Sequence, residues 1–402
     1  MLHSLQSYPT FRVLMLGTLA TNSAFWMYQV AVGWLALQLL NSPLFVGLTG
    51  FAGGIPLLLL SLPAGIIIDR FDRRLVLLAS QVAVMILAGV FALLIGAGAI
   101  APWSTLVLAF AYGSVMAFIF PTRTTIVTTL VSREDLVNAV ALNAAVQNAT
   151  RVTGPALAGI LIAVIGLAGT FTVAALLQVL ALVATSRLPA RGAASAARGA
   201  LGWGGLAVGL RLVAQDAYLV RLILLSLATN VLVMPYINLM PVFAQDVMGI
   251  GSSGLGLLLA GTGLGTVVGA LWVAHSRRLT EGSRMQSVTA AAFSLLVLAF
   301  AVIPSVPVAA AILVVAGVVS AAFLAITQTS LQMRVDDEVR GRVLSVYLLT
   351  WGMLPLGQLA VGALADAVGP RGALAAAGVV ALAFIALVAW RFPAPERVLE
   401  SP

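Results

Sequence analysis

The chain has 402 residues, 61% hydrophobic and 8% charged, with a formal net charge of +8. Soluble domains run about 45–50% apolar and about 25% charged, so this composition excludes a water-soluble fold. The 21 Lys-plus-Arg positions are all arginine, cysteine is absent, and the histidines stand far apart at His3 and His275, so no disulfide framework, thiolate nucleophile, metal centre or cofactor is expected.

A helical membrane span needs about 20 apolar residues. The apolar runs here are continuous, unlike the short alternating segments of a membrane barrel, which predicts an all-α polytopic protein. The first run, Val13 to Leu40, is interrupted by Asn22 and Ser23 and carries Tyr28 and Gln29. It reads as a retained span, because no short apolar core with a small-residue cleavage site is present. The second run extends from Leu44 to Ile68.

Between Gly65 and Arg74 lie two carboxylates and three guanidinium groups. A charge at the bilayer centre costs about 2.5–3.5 kcal/mol even on mild scales, so this stretch is a water-facing turn. Gly65 stands one helical turn before Asp69, where a neighbouring helix is expected to come close. Runs at 75–100 and 103–130 follow, then the charged turn at 132–135, then runs at 139–165 and 169–186. That makes six spans.

From Arg187 to Asp216 the composition shifts to Pro, Gly, Ala, Ser and Arg, which predicts a linker and a short amphipathic helix on the membrane surface. Six further spans are expected at about 219–244, 254–274, 286–303, 306–331, 343–365 and 372–390. The predicted organisation is a six-helix bundle over 1–187, a linker over 188–216 and a second six-helix bundle over 217–402.

Arginines crowd one set of turns, while the opposite turns hold only Arg371. The crowded side is predicted to be cytoplasmic, with both termini inside. The positive charge is thus a topology signal and not a nucleic-acid footprint. The halves also repeat: Gly65 precedes Arg73 and Arg74 by eight and nine residues, and Gly269 precedes Arg277 and Arg278 by the same offsets. Gly154 and Gly159 likewise have counterparts in Gly357 and Gly362. Such parallel repeats place a substrate site near the midplane between halves.

The pattern G-x-x-x-D-R-x-D-R-R, falling after the second apolar run, resembles the loop signature of the major facilitator superfamily. The resemblance covers essentially the whole chain. It looks closest to the branch with siderophore exporters and macrolide-efflux proteins, carried by Gln29-Val-Ala-Val-Gly-Trp34, Ser61-Leu-Pro-Ala-Gly65, Arg133 to Asn143, Arg151 to Gly159 and Arg340-Gly-Arg342-Val-Leu-Ser345. It implies twelve helices in two pseudo-symmetric bundles, alternating access and proton antiport. It also implies that Asp69 docks against the cytoplasmic start of the eleventh helix. Gly65, Asp69, Arg70, Arg73, Glu134, Arg340 and Arg342 are therefore the expected latch, with Arg73 able to pair with Glu134 or Asp135.

Arg151 lies well inside the fifth run, and no acid stands in any span centre to pair with it. An intramembrane arginine is a functional candidate, and here it favours an anionic substrate moiety or serves packing near Pro155. Asn143, Gln147 and Arg151 recur one helical turn apart, so their face is expected to line the cavity. Asn148, Asn22, Tyr28, Gln29, Asn230, Tyr236, Asn238 and Gln328 complete the expected lining. Arg123, after Pro121, is expected to snorkel toward the cytoplasmic surface.

Gly154, Pro155 and Gly159 predict a close-packed, bendable helix, loosely similar to the fifth-helix antiporter signature of drug exporters. Asp366 is the foremost proton-coupling candidate, at the outer end of the eleventh span. Without lysine there can be no Walker motif, so transport is expected to be secondary.

The resulting expectation is proton-coupled export of an amphipathic small molecule, drug-like or siderophore-like, by a monomer in a bacterial inner membrane. Uptake or lipid translocation of an anionic amphiphile is the alternative. A transport-inactive receptor or scaffold is the reading from another class, and an enzyme is not expected.

Overall fold

The computed structural model describes residues 7–132, 134–189, 203–275 and 284–394. Those residues form helices and no strands. They are α1 (Pro9–Leu40), α2 (Pro43–Arg70), α3 (Arg73–Gly96), α4 (Pro102–Leu130), α5 (Leu136–Ser186), α6 (Trp203–Gln215) and α7 (Ala217–Ala228). They continue as α8 (Gly251–His275), α9 (Met285–Val302), α10 (Val306–Arg334), α11 (Asp337–Gly352) and α12 (Leu354–Arg391).

Local chemistry sets many of the ends. Prolines stand in the first turn of α1, α4, α10 and α12, where a missing N–H costs nothing. Asn41 ends α1 in a left-handed conformation (φ 46°), its N–H donating to the Leu37 carbonyl. Asp72 caps α3 by accepting from the Arg74 N–H at 2.7 Å.

Ten described helices or helical runs are long and apolar enough to cross a membrane. Two of them, Asn138–Ser186 and Glu338–Arg391, have 49 and 54 residues. At 1.5 Å per residue each exceeds twice the roughly 30 Å hydrocarbon thickness. Each is broken at one glycine with positive φ, Gly166 (φ 73°) and Gly369 (φ 80°), a backbone that favours glycine. Each run therefore makes two passes, giving twelve in all.

The run from Ala217 to Val247 departs from a regular helix. After α7 it becomes a π-helix over Thr229–Val233, a 3-10 helix over Met234–Leu239 and a second π-helix over Phe243–Val247. Pro235 and Pro241 cannot donate backbone hydrogen bonds, and inside a bilayer the freed carbonyls must be satisfied by such local rewinding.

The chain forms two compact units. The first comprises Met1–Asn41, Ala52–Arg198 and Ile250–Ala260; the second comprises Ser42–Phe51, Gly199–Gly249 and Gly261–Pro402. The division expected at 188–216 thus carries two short exchanges, at the start of α2 and the start of α8.

In the first unit α1 and α3 pack along α5, and an aromatic core closes the bundle. Tyr28 stacks on Tyr112 with centroids 3.5 Å apart, and Phe91 stacks on Phe171 at 4.6 Å. The closest helix approach joins α2 to α4, where a Cβ at Gly113 would stand 1.9 Å from the Gly53 carbonyl oxygen. In the second unit α9 packs against α10 and α12. Its matching close approach joins α8 to α10, where a Cβ at Gly265 would stand 1.9 Å from the Val314 carbonyl oxygen. The repeat seen in the sequence thus returns as equivalent helix pairs in glycine contact.

The amphipathic α6 is present. One of its faces packs on α11: a Cβ at Gly209 would meet the Arg342 carbonyl oxygen at 2.4 Å, and Val213 joins Tyr218, Leu222, Val343 and Val346 in one buried cluster. Outward faces of the bundles carry exposed apolar side chains such as Leu93, Val164 and Leu257, as a lipid-facing surface requires.

Candidate functional site

In the first unit α1 and α5 bring an aromatic wall and a polar ladder together. The Arg151 guanidinium carbon lies 5.6 Å from the Trp26 ring centroid, a cation–π distance. Trp26 meets Phe25 edge-on at 5.3 Å, and Phe25 meets Phe120 of α4 edge-on at 5.3 Å. Gly154 makes the approach possible, since a Cβ there would stand 2.6 Å from Trp26 Cβ. One helical turn from Arg151, Gln147 is exposed; Asn148 and Arg151 are half-buried, and Gln29 of α1 is exposed.

This surface offers flat apolar rings for a planar or amphipathic group, beside a fixed positive charge and amide hydrogen-bonding groups. Asn22 and Asn143, expected on the cavity lining, are each buried at 8% exposure. Tyr28, expected on the cavity wall, instead lies 2% exposed in the aromatic core, because Tyr112, Phe91 and Phe171 enclose its ring.

The polar residues expected in the second half lie in the second unit. Asn230 is buried and donates to Thr350 Oγ1 at 3.1 Å, and Tyr236 is 1% exposed against Phe293. Asn238 donates to the Val46 carbonyl at 3.0 Å, beside Gln358 and Gly50, while Gln328 is exposed. Asp366 is exposed and accepts a 2.8 Å bond from the Ser42 hydroxyl, so it lacks the burial expected of a proton carrier.

Of the expected latch, the Asp69 side chain lies outside the described residues. A Cβ at Gly65 would meet nothing within 4 Å, so the close helix approach expected there is absent among the described residues. Arg70 and Glu134 are exposed and Arg73 is half-buried, with no Arg73–Glu134 ion pair among the described residues. Asp135 accepts from the Tyr8 hydroxyl at 2.9 Å, and the Arg74 guanidinium donates to the Ser186 carbonyl at the end of α5. Arg340 donates to the Val335 carbonyl at 3.3 Å, and Arg342 is half-buried where α6 crosses α11. Pro155 and its glycines keep helical dihedrals, the non-helical residue of α5 being Gly166. Gly154 and Gly159 serve close approach: a Cβ at Gly159 would stand 2.8 Å from Gly256 Cα.

Three features were missed in the sequence. Arg123 does not snorkel; it is 5% exposed and donates to Thr21 Oγ1 at 2.8 Å, because its face of α4 turns toward α1 and not toward lipid. Arg221, 3% exposed, donates to the Phe392 carbonyl and to Ser287 Oγ at 2.7 Å, tying α7 to α9 and to the end of α12. Asp216 caps α7 and pairs with Arg334 at 2.8 Å. No His, Cys, Asp and Glu group suited to a metal ion occurs among the described residues.

A family model described as a transmembrane secretion effector matches residues 4–401. The chain belongs to this family of major facilitator transporters.

Among its relatives, this transporter is 30% identical over 356 residues to the multidrug efflux pump Tap of Mycolicibacterium fortuitum, covering 85% of each chain. It is 29% identical to Tap of Mycobacterium tuberculosis over 98% of its own length and 96% of the relative's. It is 23% identical to a staphyloferrin A transporter of Staphylococcus aureus over 86% of each. The fold is similar to that of a bacterial homologue of the human lysosomal transporter Spinster, with TM-score 0.75, 17% identity and coverage of 96% and 98%. A nucleoside transporter gives TM-score 0.74 at 13% identity, covering 95% and 98%. The secretion effector family accounts for the twelve passes, and the family and these relatives are transporters, not enzymes.

Proposed function

We propose that this transporter exports amphipathic small molecules, drug-like or siderophore-like, by proton-coupled alternating access in a bacterial inner membrane, with both termini cytoplasmic. The observation that carries the reading is the Trp26–Phe25–Phe120 wall with Arg151 above Trp26. Aromatic faces hold flat apolar groups with little demand for shape, which suits a carrier of varied amphiphiles. The family description and the efflux function named for its relatives support the outward direction. The Asp69 turn serves as the latch of the cytoplasmic side.

A second reading, uptake or translocation of an anionic amphiphile, draws on the guanidinium at Arg151 and on the lack of acids within the span centres.

Inside-out vesicles containing the protein, with an imposed proton gradient and a diverse panel of amphiphiles, test both. Accumulation that collapses with an uncoupler is expected for proton-driven export. Movement that persists without the gradient, restricted to anionic amphiphiles, would replace it with the second reading.

A further inference from the structure

We propose that Arg123, Thr21 and Gln178 form a binding site for one small monovalent anion, a halide or a carboxylate, inside the first unit.

The three residues come from α4, α1 and the second pass of α5, and are 5%, 1% and 0% exposed. Arg123 Nη2 donates to Thr21 Oγ1 at 2.8 Å, and that hydroxyl donates onward to Gln178 Oε1 at 3.5 Å. The threonine thereby uses its proton and one lone pair within the chain. What remains is a surplus of donors: Arg123 Nε, Arg123 Nη1 and Gln178 Nε2 are buried with no acceptor among the described residues.

Charge points the same way. The carboxylates in the first unit's sequence are Asp69, in the last turn of α2, and Asp72, Glu134 and Asp135, in the turns between helices. Arg123 lies seven residues before the end of α4, about 10 Å along the axis at 1.5 Å per residue. A guanidinium cannot shed its proton as an ammonium can, so burial leaves a fixed positive charge that needs a counter-charge. An anion received by the guanidinium fork and the Gln178 amide supplies both the negative charge and the missing acceptor. This site is separate from Arg151, whose charge faces Trp26, and it stands whether or not the export reading holds.

The test is thermal unfolding of the purified full-length protein, titrated with sodium chloride, sodium formate or sodium gluconate at constant ionic strength. A saturable rise in Tm is expected with chloride and formate, and none with gluconate. The rise should vanish in Arg123→Met and shift its midpoint about tenfold in Gln178→Leu, which removes one donor at nearly constant volume. If Arg123→Met does not fold, the Gln178→Leu midpoint decides. Saturation by formate alone assigns the site to the carboxylate of a carried molecule; saturation by chloride as well assigns it to free halide. Equal response to all three salts, or wild-type midpoints in the variants, would overturn the proposal and leave the cluster a structural one.

Discussion

Asp216 binds α7 and α10 together with one carboxylate: Oδ1 accepts from the Tyr218 and Leu219 N–H groups at 2.8 and 3.2 Å, and Oδ2 meets Arg334 Nε at 2.8 Å. Both partners are mostly shielded, with side-chain exposures of 25% and 14%. Capping is worth about 0.5–2 kcal/mol, and a charged hydrogen bond about 1.5–3 kcal/mol. Asp216→Ala should therefore lower the Tm of the purified protein more than Asp216→Asn, which keeps a capping oxygen and loses the charge. Equal losses would show that the ion pair with Arg334 carries the whole effect and the cap none.

Gly113 stands against Gly53, and the 1.9 Å that an added Cβ would leave cannot be absorbed by a side chain, because the obstacle is a backbone carbonyl. Gly113→Ala should force α2 and α4 apart at about 1–3 kcal/mol. Gly89→Ala is the control, since its Cβ would meet nothing within 4 Å. Unfolding curves for the two variants should separate clearly.

Arg151 above Trp26 predicts a split in substrate dependence. Arg151→Ala should weaken transport of anionic amphiphiles more than of cationic ones, and Trp26→Ala should weaken aromatic substrates of either charge. Cation–π contacts are worth about 0.5–2 kcal/mol, so several-fold changes in apparent affinity are expected. Equal losses for both charge classes in Arg151→Ala would assign that arginine to packing.

Asp69→Asn removes the carboxylate of the proposed latch while leaving side-chain volume unchanged. Transport should fall several-fold at normal membrane levels, and cysteine labelling of introduced cytoplasmic sites should increase. An unchanged rate would remove Asp69 from the gating mechanism.

The spans were readable because span length is a local property. A run of apolar residues long enough to cross, bounded by arginines, needs no partner to be recognised. The turns at Gly166 and Gly369 fall in the gaps between predicted runs. The rewinding after α7 was not foreseen, although Pro235 and Pro241 announce that something must replace two backbone hydrogen bonds there.

By itself, then, the sequence determined the membrane class, the twelve passes, the six-plus-six repeat and the resemblance to major facilitator transporters. Tertiary structure decided which way each polar side chain faces. Tyr28 and Gln29 are neighbours, yet one is sealed in an aromatic stack and the other is exposed. Arg123 and Arg151 both sit inside apolar runs, yet one is buried against Thr21 and the other lies half-exposed over Trp26. In water an amphipathic stripe tells inside from outside. In a bilayer the lipid and the bundle core are equally apolar, so the inward face of a helix carries no such stripe and is settled only by packing against its neighbours.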